Sequence, residues 1–136
     1  MKRLTIVFLS LLVALTISAP AYAGIGYWIG DWYYYHDYDD PASSFTMYRI
    51  GDYWYTNFSD GGWATTYPIG NRWYYTNFSD GGWATTYPIG NRWYTNFSDG
   101  GWMSSYNIGD WTYFNYSWGG GSAWYTIGNF DYCFEW

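Results

Sequence analysis

Six tryptophans carry the chemistry most plainly written in this chain. Trp63, Trp83 and Trp102 recur at one place in a repeated unit, and Trp54, Trp73 and Trp93 recur at another. Units stacked in register would align each set as a row of flat apolar faces. An exposed row of this kind takes sugar rings, or holds a quaternary ammonium by cation–π attraction at about 0.5–2 kcal/mol per contact. The same rings are also core material, because Ile is the only repeated aliphatic residue and something must fill the interior. Strand alternation allows one row inside and one outside. With 29% of the chain aromatic, there are more rings than a narrow core needs, so at least one row is expected to face solvent as the ligand-binding surface.

The polar residues offer less. Asp60, Asp80 and Asp99 align within Ser-Asp-Gly-Gly, where Asp ordinarily bonds its own backbone; the glycine-rich nonapeptide of calcium-binding solenoids is absent, so no metal site is expected. His36 meets carboxylates only in His36-Asp37-Tyr38-Asp39-Asp40, ahead of Pro41, which reads as a solvated loop. Arg72 and Arg92 sit beside Trp73 and Trp93 and suit stacking on rings. Asn57, Asn77, Asn96 and Asn115 each open an N-x-S triplet and suit a side-chain ladder between stacked coils. With one His, one Cys (Cys133, near the C-terminus and open to pairing between chains) and no Lys after position 2, the usual nucleophile–base pairs cannot be assembled. No catalytic residue and no cofactor is expected, and the chain reads as non-enzymatic.

The elements that must position these residues come from the repeat. Residues 56–74 recur unchanged at 76–94, and a further copy begins at Thr95. Ile-Gly pairs at 29, 50, 69, 89, 108 and 127 mark a unit of 19–21 residues. Each unit holds two aromatic, β-favouring runs separated by Ser-Asp-Gly-Gly and then by Ile-Gly-Asn or Ile-Gly-Asp, which reads as two short strands and two bends. Pro68 and Pro88 fall near the second bend, and the extra tyrosine of Trp73-Tyr74-Tyr75 reads as a β-bulge. The fold expected is all-β, either a flattened β-solenoid with like positions about 4.8 Å apart or a stacked β-hairpin array, with the divergent first and last units as caps.

Two resemblances follow from these motifs. Trp73-Tyr74-Tyr75-Thr76-Asn77 and Asp80-Gly81-Gly82-Trp83 resemble the choline-binding or cell-wall-binding repeat of bacterial surface proteins, which implies aromatic walls shared between hairpins. The Trp63 to Trp73 gap is wider than that pattern, and the Ile-Gly-Asn bend lies outside it. From Ile29 onward, Ile-Gly-Asn/Asp, an aromatic pair and Asn-Phe-Ser-Asp-Gly are similar to the IGN-type tandem repeats of small exported bacterial proteins of unassigned function. That resemblance implies a secreted repeat protein and no particular ligand.

Composition bounds the rest. Beyond Gly24 there is no Lys, no Leu and one Glu, which excludes a helical bundle or an α/β core. Lys2 and Arg3, an apolar run from Leu4 to Ile17 and Ala21-Tyr22-Ala23 read as a signal peptide over 1–23 cleaved near Ala23. The remainder, 24–136, reads as a single domain that is secreted, periplasmic or on the cell surface. It carries three arginines against eleven acidic residues, a net charge of −8, which disfavours nucleic acid and anionic membrane. The function expected is glycan or cell-envelope binding by aromatic rows. The alternatives are self-association as a structural or adhesive protein, or a small outer-membrane β-barrel, suggested by the alternating Phe130, Tyr132, Phe134 and Trp136 but opposed by strands shorter than 9–11 residues.

Overall fold

The computed structural model describes residues 21–136, so the expected leader lies outside the described residues except at its last three positions. Twelve antiparallel strands follow in chain order: β1 (Ala21–Ile29), β2 (Trp32–Asp37), β3 (Phe45–Ile50), β4 (Tyr53–Phe58), β5 (Trp63–Pro68), β6 (Tyr74–Phe78), β7 (Trp83–Ile89), β8 (Arg92–Phe97), β9 (Trp102–Ile108), β10 (Trp111–Tyr116), β11 (Gly121–Ile127) and β12 (Phe130–Glu135). A single 3-10 turn, Pro41–Ser43, interrupts the β2–β3 connection. Each strand pairs with its neighbours in sequence, and β12 returns to pair with β1 from Ala21↔Glu135 to Tyr27↔Phe130.

The chain is therefore a closed up-and-down barrel, and the expected solenoid or open hairpin array is corrected. The turn chemistry explains why. Five of the six Ile-Gly bends are two-residue connections with Gly at positive φ of 59–62°, the Gly-first hairpin turn whose twist matches the flanking strands. Such a turn sends the chain back beside itself as an antiparallel partner, whereas a solenoid coil needs the chain to pass on to a parallel neighbour. A twisted series of six hairpins then closes once its first and last strands can pair.

Alternation sorts the side chains into two faces. Facing inward on the middle strands are three layers: Trp54, Tyr74 and Trp93 towards the Ile-Gly end, threonines at mid-height, and Phe58, Ala64, Phe78, Ala84 and Phe97 towards the Ser-Asp-Gly-Gly end. Phe and Ala alternate across that last layer, so each large ring covers a small neighbour, and Ala64 and Ala84 are buried. Thr66 and Thr76 share a hydrogen bond of 2.8 Å, as do Thr86 and Thr95 at 2.9 Å, so the mid-height hydroxyls satisfy one another.

The seam where β1 meets β12 is built differently and holds the most deeply buried cluster, Ala23, Tyr33, Tyr35 and Cys133. Gly24 and Gly26 leave β1 bare on its inner face, and the rings of Tyr35 and Tyr33 lie across them. The Tyr33 hydroxyl reaches over β1 to donate to Asp131 Oδ2 of β12 at 2.8 Å, while Thr126 donates to Oδ1 at 2.7 Å. The divergent end units are thus no solenoid caps; they are the two halves of a closure.

Two local expectations also change. The additional residue of Trp73-Tyr74-Tyr75 makes no bulge, since β6 keeps unbroken register with β5 and β7. It is taken up in the 69–73 connection, where Arg72 adopts φ 63° and the Ile69 N–H donates to the Trp73 carbonyl at 2.9 Å. The one register shift in the wall lies between Tyr22 and Gly24, at the seam.

Candidate functional site

The six tryptophans expected to act together are split by the wall. Trp54 and Trp93 point inward, whereas Trp73 sits outside, 45% exposed and stacked on Tyr87 at 4.4 Å. The inserted residue is the cause, because it moves Trp73 to the place Arg92 holds in the next unit and gives Trp93's inward place to Tyr74. Trp54, Trp73 and Trp93 therefore form no row. Trp63, Trp83 and Trp102 do: they open β5, β7 and β9 near one end of the barrel, all facing outward and 42–48% exposed. Alternate strands put neighbouring members about two strand spacings, roughly 10 Å, apart across the wall.

Between these tryptophans stand Asn57, Asn77, Asn96 and Asn115 on β4, β6, β8 and β10. The expected asparagine ladder does not form, because an intervening strand separates each from the next; Asn96 Nδ2 instead donates to the Tyr87 hydroxyl at 2.9 Å. The outer face continues towards the other end as paired tyrosines, with Tyr48 on Tyr55 at 5.4 Å, Tyr67 beside Tyr75 at 5.7 Å and Tyr106 on Tyr113 at 5.3 Å. Beyond them stand Ile29, Ile50, Ile69, Ile89, Ile108 and Ile127, all exposed. The aromatic outer surface thus extends over most of the wall, which the spacing of the tryptophans alone did not reveal.

At the tryptophan end the turns are clipped together. In each Ser-Asp-Gly-Gly the Asp Oδ1 accepts from the second Gly N–H at 2.8 Å, for Asp60, Asp80 and Asp99 alike. The serine of one turn grips the preceding tryptophan strand: Ser79 Oγ accepts from the Trp63 N–H at 3.0 Å, Ser98 Oγ from Trp83 at 3.0 Å and Ser117 Oγ from Trp102 at 2.8 Å. This fixes the backbone of each exposed Trp against its neighbour. Two grooves border these turns on the side of the inward Phe rings. One is lined by Phe58, Phe78, Asp60, Asp80 and Trp63. The other is lined by Phe78, Phe97, Asp80, Asp99 and Trp83.

The remaining polar groups do not converge. His36 faces outward, 3.0 Å from the Tyr27 hydroxyl, while Asp37 faces inward and accepts backbone N–H groups of Asp39 and Asp40 through Oδ1. Among the described residues no three His, Cys, Asp or Glu side chains are placed to hold a metal ion. Arg49, Arg72 and Arg92 each lie over a ring, at 5.5 Å from Trp54, 5.6 Å from Trp93 and 4.8 Å from Tyr106. Cys133 is fully buried on the inner face of the seam. Its thiol is pushed up to about 12, mainly by burial and against a hydrogen bond from Tyr35 that lowers it. The expectation that Cys133 is open to pairing between chains is therefore corrected.

Charge is divided along the barrel axis. Asp37, Asp39, Asp40, Asp60, Asp80, Asp99 and Glu135 gather at the Ser-Asp-Gly-Gly end, and all three arginines lie at the Ile-Gly end with Asp31, Asp52, Asp110 and Asp131. The net negative charge thus belongs to the end that carries the exposed Trp row. The chain matches no protein-family model, no curated protein and no solved structure.

Proposed function

We propose that this aromatic-rich barrel is an exported, non-catalytic binding scaffold whose outer wall takes up a glycan or another cell-envelope polymer. The observation that carries the reading is the row of Trp63, Trp83 and Trp102, evenly placed on alternate strands, nearly half exposed and clamped through the backbone. Flat rings on a rigid sheet bind sugar faces without losing the conformational entropy that ordering a loop would cost. Equal spacing lets several weak contacts act on one chain, so affinity comes from effective concentration rather than from a deep pocket. Closure leaves no free edge among the described strands, so self-association, the structural or adhesive alternative, would have to use the aromatic outer wall rather than strand addition.

Co-sedimentation of the purified protein with insoluble glycans and envelope fractions tests this reading. Retention should fall when Trp63, Trp83 and Trp102 are together replaced by Ala, with far-ultraviolet circular dichroism unchanged. Retention by none of the materials, or retention indifferent to the triple variant, rejects it.

The bilayer reading is favoured by one further observation, a closed wall ringed by exposed isoleucines at one end. Against it, most strands have five to seven residues, which at about 3.3 Å per residue and a usual barrel tilt gives a wall of roughly 15 Å, short of a 25 Å apolar band. Flotation with phosphatidylethanolamine–phosphatidylglycerol vesicles, with strands protected from protease, would favour the bilayer over the glycan.

A further inference from the structure

We infer that the outer wall holds a subsite for one sugar of a neutral glycan, in a pit at the place where the Trp row lacks its ring. This rests on the glycan-binding reading above and specifies its ligand. The row has a fourth place, just ahead of β3. The carbonyls of Trp63, Trp83 and Trp102 each accept from the serine N–H of the neighbouring turn at 2.8–2.9 Å, and the Ser44 carbonyl accepts from the Ser59 N–H in the same way at 2.9 Å. Ser44-Phe45-Thr46 thus stands where Trp63-Ala64-Thr65 and Trp83-Ala84-Thr85 stand in their own units. A serine in the place of an indole leaves a depression of about 480 Å³, the size of a small-molecule site.

Alternation puts this pit on the outer face. Tyr35, Phe45 and Phe58, in register across β2, β3 and β4, point inward, so the backbone of the wall forms the floor. Tyr34, His36, Thr46 and Asn57 point outward and flank it. Its rim is tied in place: Ser44 Oγ accepts the Asp37 N–H at 3.0 Å, and Ser59 Oγ donates to the Pro41 carbonyl at 2.6 Å. Tyr34 stacks on Tyr27 of β1 at 5.6 Å, on the side away from β3. Asn57 and Thr46 stand opposite each other, and neither side chain enters a hydrogen bond among the described residues, whereas Asn96 already donates to Tyr87. An amide and a hydroxyl beside an aromatic ring can bond the hydroxyl or acetamido groups of a sugar laid against it. Asn57 is also the register partner of Trp63, so the next sugar of the same chain reaches the first ring of the row.

Charge sets the class of glycan. No Asp, Glu, Lys or Arg lines the pit, and its end of the barrel carries seven carboxylates and, among the described residues, no Lys or Arg. A phosphorylated or uronic-acid chain is repelled there and meets no basic partner, while a neutral sugar needs only the hydrogen bonds and the ring that the pit offers.

Calorimetric titration of the purified protein with chitotetraose, cellotetraose and tetragalacturonate tests this, using wild type, Asn57→Ala, Asn77→Ala and Ser44→Trp. Asn77 holds the same register beside Trp83 but lies outside the pit. The inference expects one of the neutral tetramers to bind and tetragalacturonate not to. Asn57→Ala should bind about threefold to tenfold more weakly, the worth of one hydrogen bond, and Asn77→Ala should bind as wild type. Ser44→Trp fills the pit and lengthens the row, so the two readings of the wall predict opposite signs: weaker binding if the pit seats a sugar, tighter binding if rings alone hold the chain. Asn57→Ala carries the test by itself if Ser44→Trp does not fold. Tighter binding by Ser44→Trp, wild-type binding by Asn57→Ala, or equal weakening by Asn57→Ala and Asn77→Ala would overturn the pit while the glycan reading stands. Preference for tetragalacturonate would overturn the neutral class. No binding of any tetramer overturns the pit, and together with failure of the insoluble glycan panel it overturns both.

Discussion

Replacing Gly26 by Ala should open the barrel at its seam, and the structure is specific enough to set the size of the effect. A Cβ at Gly26 would collide with the Tyr33 hydroxyl and lie 2.5 Å from its Cζ. The ring would have to lift from β1, and its bond to Asp131 would be lost. A hydrogen bond to a charged partner is worth about 1.5–3 kcal/mol, and overpacking at a buried site costs about 1–3 kcal/mol. Restricting the unfolded chain returns about 0.5–1 kcal/mol, leaving a net loss of roughly 2–5 kcal/mol. For a chain of this size that lowers Tm by roughly 8–20 °C. Urea or thermal melts of Gly26→Ala, Tyr33→Ala and the double variant measure it. With Tyr33 removed, Gly26→Ala should cost nothing or stabilise slightly. An equal cost in both backgrounds would refute the claim that the glycine exists to receive this ring.

Two further outcomes follow from the same seam. Cys133, buried and with its thiol pushed up to about 12, should resist alkylation at neutral pH in the native protein and react in urea or in Gly26→Ala; rapid native labelling, followed by mass spectrometry, would show the seam to be loose. Glu135 is held above the ordinary carboxylate value of 4.5 by burial and then by Asp37 and Asp39, so the folded state favours its protonated form. Its contribution is therefore favourable below the ordinary value and is lost as pH rises through the folded one. Glu135→Gln should raise Tm at pH 7 and lose that advantage near pH 3.5, read by thermal melts at the two values.

Strand content and the unit followed from local chemistry: Ser-Asp-Gly-Gly and Ile-Gly bends punctuate β-favouring runs, and those signals act over a few residues. Closure did not follow, because it depends on residues about a hundred positions apart. A signal was nevertheless present. Gly24-x-Gly26 and Tyr33-x-Tyr35 alternate with the period of a strand, and two bare positions opposite two large rings mark a place where side chains cross a neighbour. The identity of the copies also misled. Trp73 and Trp93 stand in matching sequence, yet one inserted residue, absorbed by a left-handed Arg72 in the connection, sends them to opposite faces. Trp63, Trp83 and Trp102 escaped this confusion because each opens its strand directly after an invariant turn.

Closure changes what it means for such a chain to gain or lose a unit. In an open stack, another copy makes a longer object with the same cross-section. Here a copy of 19–20 residues supplies one hairpin, two strands of the circumference, and barrel diameter grows roughly in proportion to strand number. Tandem duplication thus adjusts calibre while wall height stays fixed by strand length. Each added unit with Ser-Asp-Gly-Gly also brings one more outward tryptophan to the rim. Gene-level slippage between the identical stretches 56–74 and 76–94 would therefore yield a graded family of rings, differing in bore and in number of binding positions, all fastened by the same two glycines and two tyrosines.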